Sequence, residues 1–250
     1  KSALLDWRTI IHQFAATPSP VRLLIPNLPH FLQYTDACYL GCGGVTSPGL
    51  APLPHVVWQF EWPPTVTALI GDTLSINDLE LAGIVMGWLV LEAVQRDLKF
   101  KHVGMFSDNT ASVAWTQKGS SSTSLPATRL LRFLSLRQRT RQASSLIPAH
   151  IGGTNNKMAD VCSRAFKNGG YFVAHSNLVS YFNTHFPLPQ SKSWREFKVP
   201  KKWSWRVISC LRGEQLPMES LTKLPKVEIN IGDTGAPTCP HVKHHPPLPM

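Results

Sequence analysis

Residues 34–45 read YTDACYLGCGGV. The aromatic and apolar run Phe31–Cys38 has the weight of a strand, and it carries an acid, Asp36, near its end. Gly41, Gly43 and Gly44 follow, as in a tight hairpin where backbone comes close to another group. One reading makes Asp36 a turn residue that hydrogen-bonds nearby backbone. The other makes it an acid held at a strand edge that the glycines keep clear for a substrate backbone.

Outward from this stretch, Val45 and then Val56–Trp62 read as the second and third strands, with Pro48, Pro52 and Pro54 between them. Asn77 to Leu98 is the clearest helix. Asn77 is placed to cap it, and Leu79, Gly83, Met86, Val90 and Ala93 form its apolar stripe. Lys101–Ser107 reads as a fourth strand and Asn109–Lys118 as a short helix stopped at Gly119. A Ser-rich loop leads to a long helix from Pro126 to Gln142. Ala143–His150 is then a fifth strand, and Asn156–Lys167 a helix ended by Gly169–Gly170. This order predicts an α/β fold with a mixed five-stranded sheet flanked by helices.

The flanks differ in character. Residues 1–29 suggest a short helix over Leu4–Phe14, then a proline-containing loop, as expected of a connector from an upstream domain. A start at Lys1 fits a piece processed from something longer. Residues 169–226 read as a partly helical linker rich in basic and aromatic residues, with Tyr171–Phe186 and Arg206–Leu211 as its helical parts. Residues 227–250 have no convincing period and read as a disordered tail. The expected whole is a sheet domain over 30–168 with an irregular C-terminal extension.

Three more acids sit in places comparable to that of Asp36: Glu80 in INDLELAG, Asp108 in FSDNTASVAW, and Asp160 in AHIGGTNNKMADVCSR. Each has a local explanation. Glu80 stands three residues after Asn77, where a capping-box acid reaches back to the cap amide. Asp108 suits a helix cap. Asp160 precedes Arg164 by four, the spacing of a surface ion pair worth about 0.3–0.5 kcal/mol. Together the four acids fall at strand ends and first helical turns, where a sheet would bring them to one edge. Four carboxylates so gathered are a poor core and a good cage for divalent metal, and two such ions split phosphodiester bonds. Hard oxygen ligands favour Mg²⁺ or Mn²⁺ over zinc.

Composition limits the alternatives. The formal net charge is +10, and about half of that excess follows residue 168, so a polyanionic partner is favoured. No run of about 18 apolar residues is present to span a membrane. Five irregularly spaced cysteines argue against a disulfide framework and for a reducing, intracellular setting. Cys239, His241, His244 and His245 form a second candidate metal group, in a proline-rich stretch unsuited to rigid ligation.

The four acidic motifs together resemble those of the ribonuclease H domain of retroelement reverse transcriptases, over residues 30–168. YTDACYLGCGGV is similar to that family's Asp-Ala-Ser motif with spaced glycines. ELAG is similar to its helix motif, and FSDNTASVAW to its Ser-Asp-Asn motif. HIGGTNNKMADVCSR resembles the His-Ile-Pro-Gly, Asn, Ala-Asp, Ser-Arg signature of Gypsy-like elements. Residues 177–194 and 206–211 loosely resemble the stretch leading toward a tyrosine-recombinase region in DIRS-like elements. The resemblance implies cleavage of the RNA strand of an RNA–DNA hybrid, next to an upstream reverse transcriptase domain. Asp36, Glu80, Asp108 and Asp160 would hold two Mg²⁺ ions, with Mn²⁺ as a substitute, and His150 would move protons on a loop entering the last helix. Gly43, Gly44, Asn109, Asn156 and Arg164 would touch substrate.

Cys38 stands where the family has serine and Gly152 where it has proline. Neither change removes an expected ligand. The arginines at 129, 132, 137, 139 and 141, with no acid among them, would lie along DNA-strand phosphates or face solvent. Trp194, Trp203 and Trp205 would stack on bases, dock a polymerase domain, or strap the core. The rival from another class is a noncatalytic connector that keeps the sheet and lends a basic, nucleic-acid-binding surface to a polymerase polyprotein.

Overall fold

The computed structural model describes residues 28–143, 145–166, 177–189 and 192–214, with scattered positions between 4 and 16. Most of the Leu4–Phe14 helix, the Gly169–Gly170 stop, the 227–250 tail and the Cys239 group lie outside the described residues. Strands β1 (Phe31–Ala37), β2 (Gly41–Pro48) and β3 (Val56–Glu61) form an antiparallel meander. β4 (His102–Ser107) pairs parallel with β1, and β5 (Ser145–His150) parallel with β4. A sixth strand, β6 (Arg195–Lys198), pairs parallel with β3, which gives the order β5-β4-β1-β2-β3-β6. The mixed sheet is as expected. The extension corrects the reading of it as irregular, because it joins the sheet edge.

The helices are α1 (Pro64–Thr67), α2 (Ile76–Val94), α3 (Thr110–Lys118), α4 (Leu125–Thr140), α5 (Lys157–Arg164), α6 (Leu178–His185) and α7 (Lys201–Leu211). α2 is buried on nearly every face, from Asp78 to Ala93, where the sequence suggested a single stripe. The sheet covers one side of it, and α4 and α7 cover the other. On the sheet side, Gln33 donates to the carbonyl of Gly87 at 2.5 Å. On the far side Trp88 donates from Nε1 to Glu92 at 2.6 Å. Glu92 also pairs with the buried guanidinium of Arg137 and, at 3.3 Å, with Arg141. Arg137 is therefore an internal counter-ion, which corrects its expected place along a phosphate backbone.

α7 adds Trp203, Val207, Cys210 and Leu211 to this main core. On the opposite face of the sheet α5 and α6 enclose a smaller core of Val45, Val57, Val161, Cys162, Leu178, Phe182 and Trp194. Two of the three tryptophans of the extension thus strap the fold. Cys38, Cys42, Cys162 and Cys210 are free thiols. Among the described residues no helix is long and apolar enough to cross a membrane.

Candidate metal centre

The parallel pairing of β1 with β4 decides the site. Asp36 is the penultimate residue of β1, and Asp108 directly follows β4, so both emerge at the same edge of the sheet. That edge, at the C-terminal ends of parallel strands, is where α/β folds place their sites. Glu80 reaches it from the second turn of α2. One oxygen from each of Asp36, Glu80 and Asp108 lies within 4.8 Å of the others.

The local explanations for these acids give way to neighbouring residues. α2 is capped by Ser75, whose side chain accepts from the amide of Asp78, while Asp78 accepts from the amide of Ser75. The expected cap at Asn77, with Glu80 as its partner, is corrected by this Ser75–Asp78 box. Glu80 falls two residues too late to serve it and turns to the sheet edge. Likewise Asn109, not Asp108, caps α3, by accepting from the amide of Ser112 at 2.9 Å. Asp108 is left for other work.

Asp36 and Glu80 are nearly withdrawn from solvent, at 4% and 5% exposure. Burial, chiefly, raises the Asp36 carboxyl to about 6, and the charges of Asp108 and Asp160 add to it. A hydrogen bond from Ser163 Oγ and the charge of Arg164 oppose the rise. Burial again, then Asp36 and Asp108, pushes Glu80 to about 9, against hydrogen bonds from the Ala37 backbone and Ser107. The Glu80 Oε2 atom is buried with no hydrogen-bond partner. Three carboxylates crowded this tightly, one with an unsatisfied oxygen, fit a hard divalent cation that supplies the missing positive charge. Carboxylate oxygens suit a hard ion of that kind.

Asp160 stands apart from this trio. It lies in the first turn of α5, its carboxylate accepts from Arg164 Nε at 2.5 Å, and it acts on Asp36 only through its charge. The structure brings together three of the four expected ligands. His150 closes β5 and does not sit on the following loop; its Nε2 is 3.1 Å from the carbonyl oxygen of Asp108. Arg164 is half-exposed in its pair with Asp160.

The remaining expected substrate residues serve the fold or each other. The glycines lie inside β2 and not in a turn, with Gly43 opposite Asp36 and Gly44 opposite Thr35. A Cβ on Gly43 would lie 2.5 Å from Cys162 Cβ and 2.6 Å from the Cys162 carbonyl oxygen, so α5 fills the space a substrate was expected to use. Gly44 lies under the Trp58 ring. Asn156 is buried at the start of α5 and donates to the Thr35 carbonyl at 3.0 Å, which fastens that helix to β1. Asn109 donates to Asn77 Oδ1 at 2.8 Å beside Asp108. From sequence Asn77 reads as a cap, and its place three residues before Glu80 also puts both on one helix face. Ser163, part of the motif but given no task from sequence, holds Asp36.

No family model and no curated protein matches the chain. Three solved structures are similar over about half of it. A ribonuclease H1 isolated from compost by a metagenomic approach has 16% identity and a TM-score of 0.37, over 52% of this chain and 89% of that one. Ribonuclease H1 from Halobacterium salinarum has 12% identity and a TM-score of 0.37, over 53% and 92%. The N-terminal ribonuclease H domain of Rv2228c from Mycobacterium tuberculosis has 15% and 0.36, over 53% and 88%. Likenesses this distant carry no argument about chemistry. The strand order, the meander followed by two parallel strands, and the helices on both faces define a ribonuclease H-like fold, with α6, β6 and α7 added after it. Its acidic trio is a candidate metal site of the kind a hydrolytic nuclease uses.

Proposed function

We propose that the protein is a metal-dependent endonuclease that hydrolyses the RNA strand of an RNA–DNA hybrid during reverse transcription of a retroelement, beside an upstream reverse transcriptase domain. The convergence of Asp36, Glu80 and Asp108 carries the hydrolytic part of this reading. The four sequence motifs support the retroelement part. Asp36, Glu80 and Asp108 hold the metal, and Asp160 joins them when its carboxylate turns from Arg164. Two Mg²⁺ ions, when bound, supply an activated water and stabilise charge on the departing 3′ oxygen.

The chain's own residues do the rest. Ser163 fixes the Asp36 carboxylate, and Asn156 fixes the strand end that bears it. His150, half in solvent beside Asp108, takes and returns protons. Asn77 and Asn109 present amides next to the metal ligands, suited to 2′-hydroxyls of an RNA strand. The test is cleavage of labelled RNA–DNA hybrid, duplex DNA and duplex RNA in Mg²⁺ and Mn²⁺, with Asp108→Asn alongside. Internal cutting of the hybrid's RNA strand, lost in the variant, is expected. Cutting of DNA alone refutes it.

A further inference from the structure

We propose that the outer face of α7, with the chain leading into it, is a contact surface for single-stranded nucleic acid, separate from the acidic trio. Lys201, Lys202 and Trp205 are all exposed there, and residues 199–206 contain no acid. Packing explains the neighbouring tryptophans and not this one. Trp194 is buried with its Nε1 donating to the Phe186 carbonyl at 2.7 Å, and Trp203 is buried with its ring stacked on Phe197. Trp205 is 41% exposed, with the Arg206 guanidinium carbon 5.5 Å from its ring centroid.

Helix stability does not explain the lysines either. Lys201 and Lys202 open α7, whose first turn has no acid. Unpaired amides at a helix N-terminus make that a poor place for positive charge. Cations set against the helix's own field, around an open indole, match phosphates flanking a stacked base. A duplex hides its base faces, so the partner this surface fits is a single strand.

The position suits such a strand. α7 spans about 16 Å. Its far end, at Leu211 and Arg212, lines a groove of about 930 Å³ shared with Ser75, Asn77 and Trp115. Asn77 is bonded to Asn109, next to Asp108. The C-terminal end of α7 therefore borders the same groove as Asn77.

The test is fluorescence anisotropy of a labelled 20-nucleotide oligo(dT) with the full chain in EDTA, so that its result is independent of any hydrolysis. Trp205→Ala is expected to weaken binding about tenfold or more, with Trp205→Phe retaining most of it. Lys201→Ala with Lys202→Ala is expected to lower the salt slope by about 1.4. Lys99→Ala with Lys118→Ala removes the same charge from exposed sites elsewhere and should change the slope little. Equal losses in both lysine pairs, or full binding by Trp205→Ala with an unchanged thermal melt, overturn the proposal. So does a loss confined to an RNA–DNA hybrid probe.

Discussion

Gly43→Ala separates close packing from substrate access at the strand opposite Asp36. The added methyl would lie 2.5 Å from Cys162 Cβ and 2.6 Å from the Cys162 carbonyl oxygen, where carbon contacts prefer about 3.5–4.0 Å. Helix α5 would have to retreat by about 1 Å. The contact is helix backbone, which cannot rotate away as a flexible side chain would. Overpacking of this kind costs about 1–3 kcal/mol. The retreat also draws Ser163 from Asp36 and Asn156 from the Thr35 carbonyl, so loss of nuclease activity should accompany the loss of stability. Gly152→Ala is the control, since the nearest atom to its Cβ would be Thr154 Oγ1 at 3.9 Å. Urea unfolding measures both. If Gly43→Ala stays within about 0.5 kcal/mol of the parent while hybrid binding falls, the glycine serves substrate and the packing account is wrong.

Other outcomes follow from the same contacts. Glu92→Ala leaves Arg137 buried without its carboxylate and should cost about 3–5 kcal/mol, while Glu92→Leu with Arg137→Met should restore most of it; chemical denaturation distinguishes the two. Asp36 at about 6 and Glu80 at about 9 mean that the folded chain holds more protons than the unfolded one from the ordinary carboxylate range up to about pH 9. Without metal, their contribution to stability therefore falls as pH rises through that window. Mg²⁺ must displace those protons, so the rise in Tm it produces should grow from pH 6 to pH 9, and a rise that is largest at low pH refutes the assignment. His150→Ala should slow hybrid turnover with little change in the Mg²⁺ requirement, and unchanged turnover would remove it from proton transfer.

Much of the fold was legible because strands and helices announce themselves by period. Thr110–Lys118, stopped by Gly119 at φ 66°, and the strand before Asp108 lie within a residue or so of expectation. The glycines of β2 misled, because a glycine cleared for a helix and a glycine cleared for a ligand look alike in one dimension. The cap of α2 was misplaced by two residues, since Ser75 and Asp78 form a box with aspartate where glutamate is usual. α7 was underestimated because its apolar residues answer to a partner surface, α2 and α4, that no local pattern reveals.

By itself the sequence determined the five strands and main helices of residues 30–168, their order and the four acids that mark their ends, since each depends on side chains within a few residues. Which acids meet depended on the parallel register of β1 against β4 and on the depth of Glu80 along α2. Those distances join residues dozens of positions apart, and packing sets them. The same packing gave Arg137 to Glu92 and Trp203 to the core, and it left Trp205 outside.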